Sequence, residues 1–147
     1  MYAECVTNYD NYPGKSIVPL TPTFVSADGT LHSWEFVEDI ALDVVRIYFI
    51  DMLHSDTRGF HAHKNLSQVF IVIDGEVSIS LTSGPPIVTS KILLKSGQAI
   101  QIGAMTWREF TCISSSARIC VAANHVYQES DYIRDFVQFQ GLAQHEF

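Results

Sequence analysis

Polar and apolar residues alternate along most of this chain with a period close to two, the signature of half-buried strands. Residues 43–50 give the clearest run: Val44, Val45, Arg46, Ile47, Tyr48, Phe49 and Ile50 are mostly β-branched or aromatic. Alternation places Arg46 and Tyr48 on one face and Val45, Ile47 and Phe49 on the other. The polar face either lines a lumen or meets solvent. Residues 69–73 and 76–81 flank Asp74-Gly75, a strong two-residue hairpin signal. Further strands are predicted over 87–94, 99–102, 107–111 and 117–124, with turns at Gly84-Pro85-Pro86, at 95–97, near Gly103 and at 114–116. Residues 16–36 read as two or three short strands broken at Pro19, Pro22 and Asp28-Gly29, with Trp34 and Phe36 sharing a core-facing side. Many short strands with no helix between them predict an antiparallel all-β sandwich or barrel. Only the tail departs: Ser130 as cap, Asp131 in the first turn, then Tyr132, Phe136 and Phe139 predict a short C-terminal helix lying on the sheets. Residues 1–15, with Tyr2, Tyr9 and Tyr12, read as an irregular arm suited to packing on a partner chain.

Composition narrows the class. At 147 residues, 47% hydrophobic and 17% charged, the chain reads as one folded domain spanning residues 1–147. A formal charge of −7 opposes nucleic-acid binding, yet a few arginines in a pocket can still hold a small anion. Cys5, Cys112 and Cys120 are an odd count without zinc-ligand spacing, as expected for reduced thiols in the cytoplasm. No apolar run nears the roughly 20 residues of a membrane span, and no signal peptide is evident.

The chemistry concentrates between residues 58 and 68: Arg58, Gly59, Phe60, His61, Ala62, His63, Lys64, Asn65, Leu66, Ser67, Gln68. Two histidines one residue apart on a strand converge on one site. Arg58-Gly59 puts a permanent cation where the backbone can approach a ligand closely. A His-x-His pair opens the common cupin metal motif, which then needs a carboxylate and a later histidine. Here those positions hold Gln68 and Arg108, a poor ligand and a repelling cation, so no metal is expected. Metal-free proton transfer by histidine, with a tyrosine to polarise an oxygen and arginines to hold an anion, fits better.

At these residues the chain resembles the nucleotide-sugar 3,4-ketoisomerases, the WxcM-like C-terminal domain family of cupins acting on dTDP-4-keto-6-deoxyglucose. The resemblance rests on Arg46 to Ile50, on Arg58-Gly59-Phe60-His61-Ala62-His63-Lys64 with Leu66 and Gln68, on Met105 to Glu109, and on Glu129-Ser130-Asp131-Tyr132-Ile133-Arg134-Asp135-Phe136. It implies a cupin-type double-stranded β-helix (jelly roll) with a short C-terminal helix, and a homodimer that exchanges N-terminal strands. It implies an isomerase that moves a proton between C3 and C4 of a dTDP-linked 4-keto-6-deoxy sugar without cofactor or metal, for O-antigen or S-layer glycans or antibiotic sugars. His61, His63 and Tyr48 are the implied catalytic residues; Arg58, Arg46, Lys64, Arg108, Trp107 and Gln68 are the implied substrate contacts. Arg108 tips the expected product toward gluco over galacto. The family often has a tyrosine where Phe49 stands and an arginine where Asp28 stands. A nucleotide-sugar 3,5-epimerase, which needs a His-Asp dyad with no evident Asp here, and a non-catalytic sugar-nucleotide-binding cupin are the alternatives.

Overall fold

Inward-facing residues change from polar to apolar along three of the strands, and that gradient places the site. The computed structural model describes residues 24–26, 29–34 and 42–145. The expected arm over 1–15, the start of the 16–36 region, Asp28 and Phe36 lie outside them. A small β1(Phe24–Ser26)/β2(Gly29–Leu31) pair precedes two antiparallel sheets. One has the order β3(Arg46–Leu53), β10(Ser116–Ala123), β5(Gln68–Asp74), β8(Ala99–Ile102); the other β11(Tyr132–Ile133), β4(Thr57–His63), β9(Trp107–Cys112), β6(Glu76–Ser83), β7(Val88–Lys95). This is the expected jelly roll, but the hairpin expected at Asp74-Gly75 does not form: β5 and β6 belong to different sheets, and Gly75, at φ 85°, turns the chain from one sheet to the other.

Between the sheets Met52, Phe70, Val72, Ile79, Phe110 and Ile119 belong to one buried cluster. The same inward rows carry Arg46 and Tyr48 before Ile50 and Met52 on β3, Gln68 before Phe70 on β5, and Arg108 before Phe110 on β9. The Phe70 and Phe110 rings, 4.8 Å apart, close the apolar end beneath the polar one. Arg46 and Tyr48 therefore face a lumen, and solvent meets the other side of β3.

A bulge in β4 resets the alternation. Gly59 pairs with Glu109 and His61 with Arg108, so Phe60, at φ 58°, has no partner on β9. The inserted residue lets Arg58 (opposite Phe110) and His61 (opposite Arg108), three positions apart, share the lumenal face. Gly59 sits at φ 96°, and a Cβ there would meet the Arg108 carbonyl oxygen at 2.5 Å. Its close approach is thus to the neighbouring strand.

The C-terminal segment differs from expectation. The helix, α1(Phe136–His145), begins later, and Asp135 caps it by accepting the Gln138 N–H at 2.8 Å. Ser130 lies in a 3-10 turn over Glu129–Asp131, and Tyr132 is on β11, opposite His63. Strand pairing to the edge of β4 outweighs the helical spacing of Tyr132, Phe136 and Phe139. Helix α1 covers the outer face of the second sheet, packing Phe139 and Ala143 with Ala62, Trp107 and Ile133.

Gly59→Ala should cost about 1–3 kcal/mol of stability, from its positive φ and the clash with β9. Urea denaturation of the two proteins checks this, and an unchanged midpoint would mean that the bulge relaxes freely.

Candidate active site

A cavity of about 440 Å³ opens at the polar end of the lumen, with Arg46, Arg58, Arg108 and Arg134 in its lining and no carboxylate among the lining residues. In a chain of net charge −7, four cations have gathered at one concavity. His61, Tyr48, Gln68 and Tyr132 complete its polar wall.

The two histidines differ. His61 lines the cavity, whereas His63 is only 1% exposed and lies deeper. Their rings meet edge-on at 4.9 Å, and the Tyr132 ring covers both, at 4.9 Å from His61 and 4.3 Å from His63. His61 Nδ1 lies 3.0 Å from the Gly59 carbonyl oxygen, a partner that can only accept. The neutral ring must therefore carry its proton on Nδ1, which leaves Nε2 as the basic atom. His63 Nδ1 lies 3.2 Å from Asp131 Oδ2, and its Nε2 is buried with no hydrogen-bond partner. Asp131 is itself held by the backbone N–H groups of Asn65 (2.9 Å) and Leu66 (3.2 Å). It ties the turn after β4 to the ring of His63.

Burial, reinforced by the Arg108 cation, lowers His61 to about 4. The same causes, with His61 as a further one, lower His63 to about 3 against the opposing pull of Asp131. Both rings are neutral at pH 7. Arg108 is 0% exposed, donating to Gln68 Oε1 at 2.7 Å and to the Thr106 carbonyl at 3.0 Å. Gln68 in turn donates to the Tyr48 hydroxyl at 2.8 Å. The Arg46 guanidinium stands 5.1 Å from the centroid of the Tyr48 ring. Arg134 stacks 4.1 Å from the Tyr132 centroid while pairing with Glu129 at 2.7 Å.

Of the residues expected at the site, His61, Tyr48, Arg46, Arg58, Arg108 and Gln68 line one cavity, and His63 lies behind Tyr132. Two expected substrate contacts lie outside this lining. Trp107 follows the alternation away from its lumenal neighbour Arg108, and its ring packs 5.1 Å from Phe136 and 5.8 Å from Phe139. Lys64, next to His63, is exposed and donates to the Ser130 carbonyl at 3.1 Å. Sequence reasoning missed Asp131, Tyr132 and Arg134 as site residues, although their string marked the resemblance. It also found no aspartate for a His-Asp pair, and Asp131 is one. Among the described residues no three His, Cys, Asp or Glu side chains converge, and Arg108 stands opposite His61 on the neighbouring strand.

The family model described as WxcM-like, C-terminal, matches residues 16–144. A TDP-4-oxo-6-deoxy-alpha-D-glucose-3,4-oxoisomerase of Aneurinibacillus thermoaerophilus is 32% identical over 118 residues, 79% of this chain and 84% of that protein. A 3,4-ketoisomerase from Helicobacter canadensis superposes with a TM-score of 0.78 at 33% identity, covering 87% of this chain and 96% of that one. A mutant of the 3,4-ketoisomerase QdtA from Thermoanaerobacterium thermosaccharolyticum, in complex with TDP-4-keto-6-deoxyglucose, superposes at 0.77 with 32% identity, covering 86% and 91%. The chain belongs to the WxcM-like family of sugar 3,4-ketoisomerases, and it is an isomerase.

Both histidines have folded values below the ordinary 6.5, so below that pH the unfolded chain binds more protons. Their contribution to stability is full above pH 6.5 and is lost as pH falls toward 4 and then 3. Denaturation midpoints between pH 7 and 4 should fall more for wild type than for His61→Gln, and histidine NMR titrations should show both rings neutral at pH 5.5.

Proposed function

We propose that this isomerase converts dTDP-4-keto-6-deoxyglucose to its 3-keto isomer, with no metal and no redox cofactor. The observation that carries the reading is the pairing of an arginine-lined, carboxylate-free cavity with a neutral histidine in its wall. Arg46 and Arg58, toward the mouth, hold the diphosphate. His61 takes the proton from C3, its Nε2 free and its ring neutral at working pH. Tyr48 serves the carbonyl oxygen at C4. His63, fixed by Asp131, backs His61 and completes the proton path to C4. Arg108, at the inner end, bears on how the sugar ring sits, and supports a gluco configuration at C4 over galacto. The product's 3-keto group suits a following amination toward a glycan sugar, in the cytoplasm.

A second reading has one observation in its favour. The His63–Asp131 pair is the kind of dyad that a 3,5-epimerase uses. It sits on the buried histidine, however, and not on the one lining the cavity.

Proton NMR of dTDP-4-keto-6-deoxyglucose with the protein in deuterated water containing a chelator distinguishes these. Loss of the C3 signal with growth of a 3-keto species is expected, and its couplings give the configuration at C4. His61→Asn should lower turnover about 10²–10⁴-fold while dTDP binding persists. Exchange at C3 and C5 with the ketone in place would favour the epimerase, and dTDP binding without exchange a non-catalytic binding cupin.

The assembly we propose is a homodimer across β3. Among the described residues this strand is the edge of its sheet, and it exposes Ile47 (61%), Phe49 (61%) and Leu53 (67%) on one side, with Val45 (57%) just before it. Ile47 and Phe49 are also among the residues lining the cavity, so a second copy there would stand beside the site. Sedimentation analysis should give a dimer for wild type and a monomer for Ile47→Glu/Phe49→Glu; a monomeric wild type would remove the proposal.

A further inference from the structure

Gln68 occupies the first position of β5, 2% exposed, between two groups on different strands. Arg108 Nη1 donates to its Oε1 at 2.7 Å, and its Nε2 donates to the Tyr48 hydroxyl oxygen at 2.8 Å. The direction of this chain is not a free choice. A guanidinium has five N–H donors and no acceptor, so the amide end facing it must be the oxygen. The other end is then the NH₂ group, and the Tyr48 oxygen must accept from it. A phenol has one proton, which is therefore left to point elsewhere, and Tyr48 lines the cavity.

We infer that Gln68 is a positioning residue: oriented by Arg108, it holds Tyr48 as a hydrogen-bond donor into the cavity, toward the C4 carbonyl oxygen of the sugar. The inference deepens the ketoisomerase reading and rests on it. Burial raises the Tyr48 hydroxyl above its ordinary value, against the nearby Arg46 cation, so the proton to be donated is present at neutral pH. The step balances without any co-reactant. His61 removes the C3 proton, the electron pair of the broken C3–H bond forms C3=C4, and the carbonyl π pair moves to the C4 oxygen, which takes the Tyr48 proton to give the enediol. The C3 hydroxyl then returns a proton to the Tyr48 phenolate as C3=O forms, and C4 takes the proton held by histidine. One hydrogen has moved from C3 to C4, and one proton from the C3 oxygen to the C4 oxygen.

Gln68→Glu tests this with almost no change of shape. The carboxylate pairs with Arg108 but can only accept from Tyr48, so the phenol proton turns away from the cavity. Turnover should drop on the order of 10²-fold, as when a donor to a developing oxyanion is lost, with KM little changed. Introduced into Tyr48→Phe, the same substitution should have little further effect, because Gln68 acts through the hydroxyl. The Tyr48 ionisation, taken as the difference between ultraviolet titrations with and without Tyr48→Phe, should move upward in Gln68→Glu. Gln68→Met, which removes both hydrogen bonds but adds no acceptor, should lower turnover less than Gln68→Glu. Equal losses from Gln68→Glu in both backgrounds, a rise in KM at constant turnover, or an unmoved tyrosine titration would overturn the inference. The titration needs no sugar, so it still decides the point if wild type fails to isomerise this substrate, an outcome that would count against the substrate alone.

Discussion

A guanidinium buried to 0% exposure is the constraint on which the site depends. Burying a cation is costly unless its donors are satisfied, and Arg108 meets that need with the oxygens of Gln68, Thr106 and Gly103. Once in place, its charge acts on everything nearby. It opposes protonation of both histidines and dictates which end of the Gln68 amide faces which neighbour. The surroundings follow from one charge whose sign cannot change, since arginine does not give up its proton in proteins.

The fold supplies a lumen in which such a charge can be held. On β3, β5 and β9 the inward rows run from polar to apolar, so the hydrophobic cluster and the site are the two ends of one interior. The apolar end keeps the sheets at fixed separation. The polar end inherits that rigidity, and side chains from β3, β5, β9 and β4 can stay in hydrogen-bond register across the space.

Much of this was legible in the residues because strands declare their faces by alternation. Tyr48, Gln68 and Arg108 stand on regular strands, His61 and His63 follow the bulge of β4 two apart, and their convergence follows from a period of two. The same rule, applied strictly, would have removed Trp107 and Lys64 from the site, since each directly follows or precedes a lumenal residue. Arg58 is the opposite case: only the bulge at Phe60 brings it to the lumenal face, and a local insertion leaves no periodic trace. Asp131, Tyr132 and Arg134 were missed for another reason. Tyr132, Phe136 and Phe139 are spaced as on a helix, and a two-residue strand is too short to show a period of its own. What decides its conformation is the open edge of β4, more than 60 residues earlier in the chain.

That distance bears on how the protein comes into being. His63 and the aspartate that orients it are separated by 68 positions, and the strand carrying Tyr132 is the last of its sheet in chain order. Loop closure costs as much for β10 pairing with β3, so what sets the C-terminal segment apart is its place in the chain, after every other strand of the two sheets. During synthesis, the two sheets can assemble while the segment after β10 is still inside the ribosome, giving a nascent barrel whose histidines have neither their orienting carboxylate nor their aromatic cover. The orientation and cover of the two histidines then come with the docking of that segment on β4.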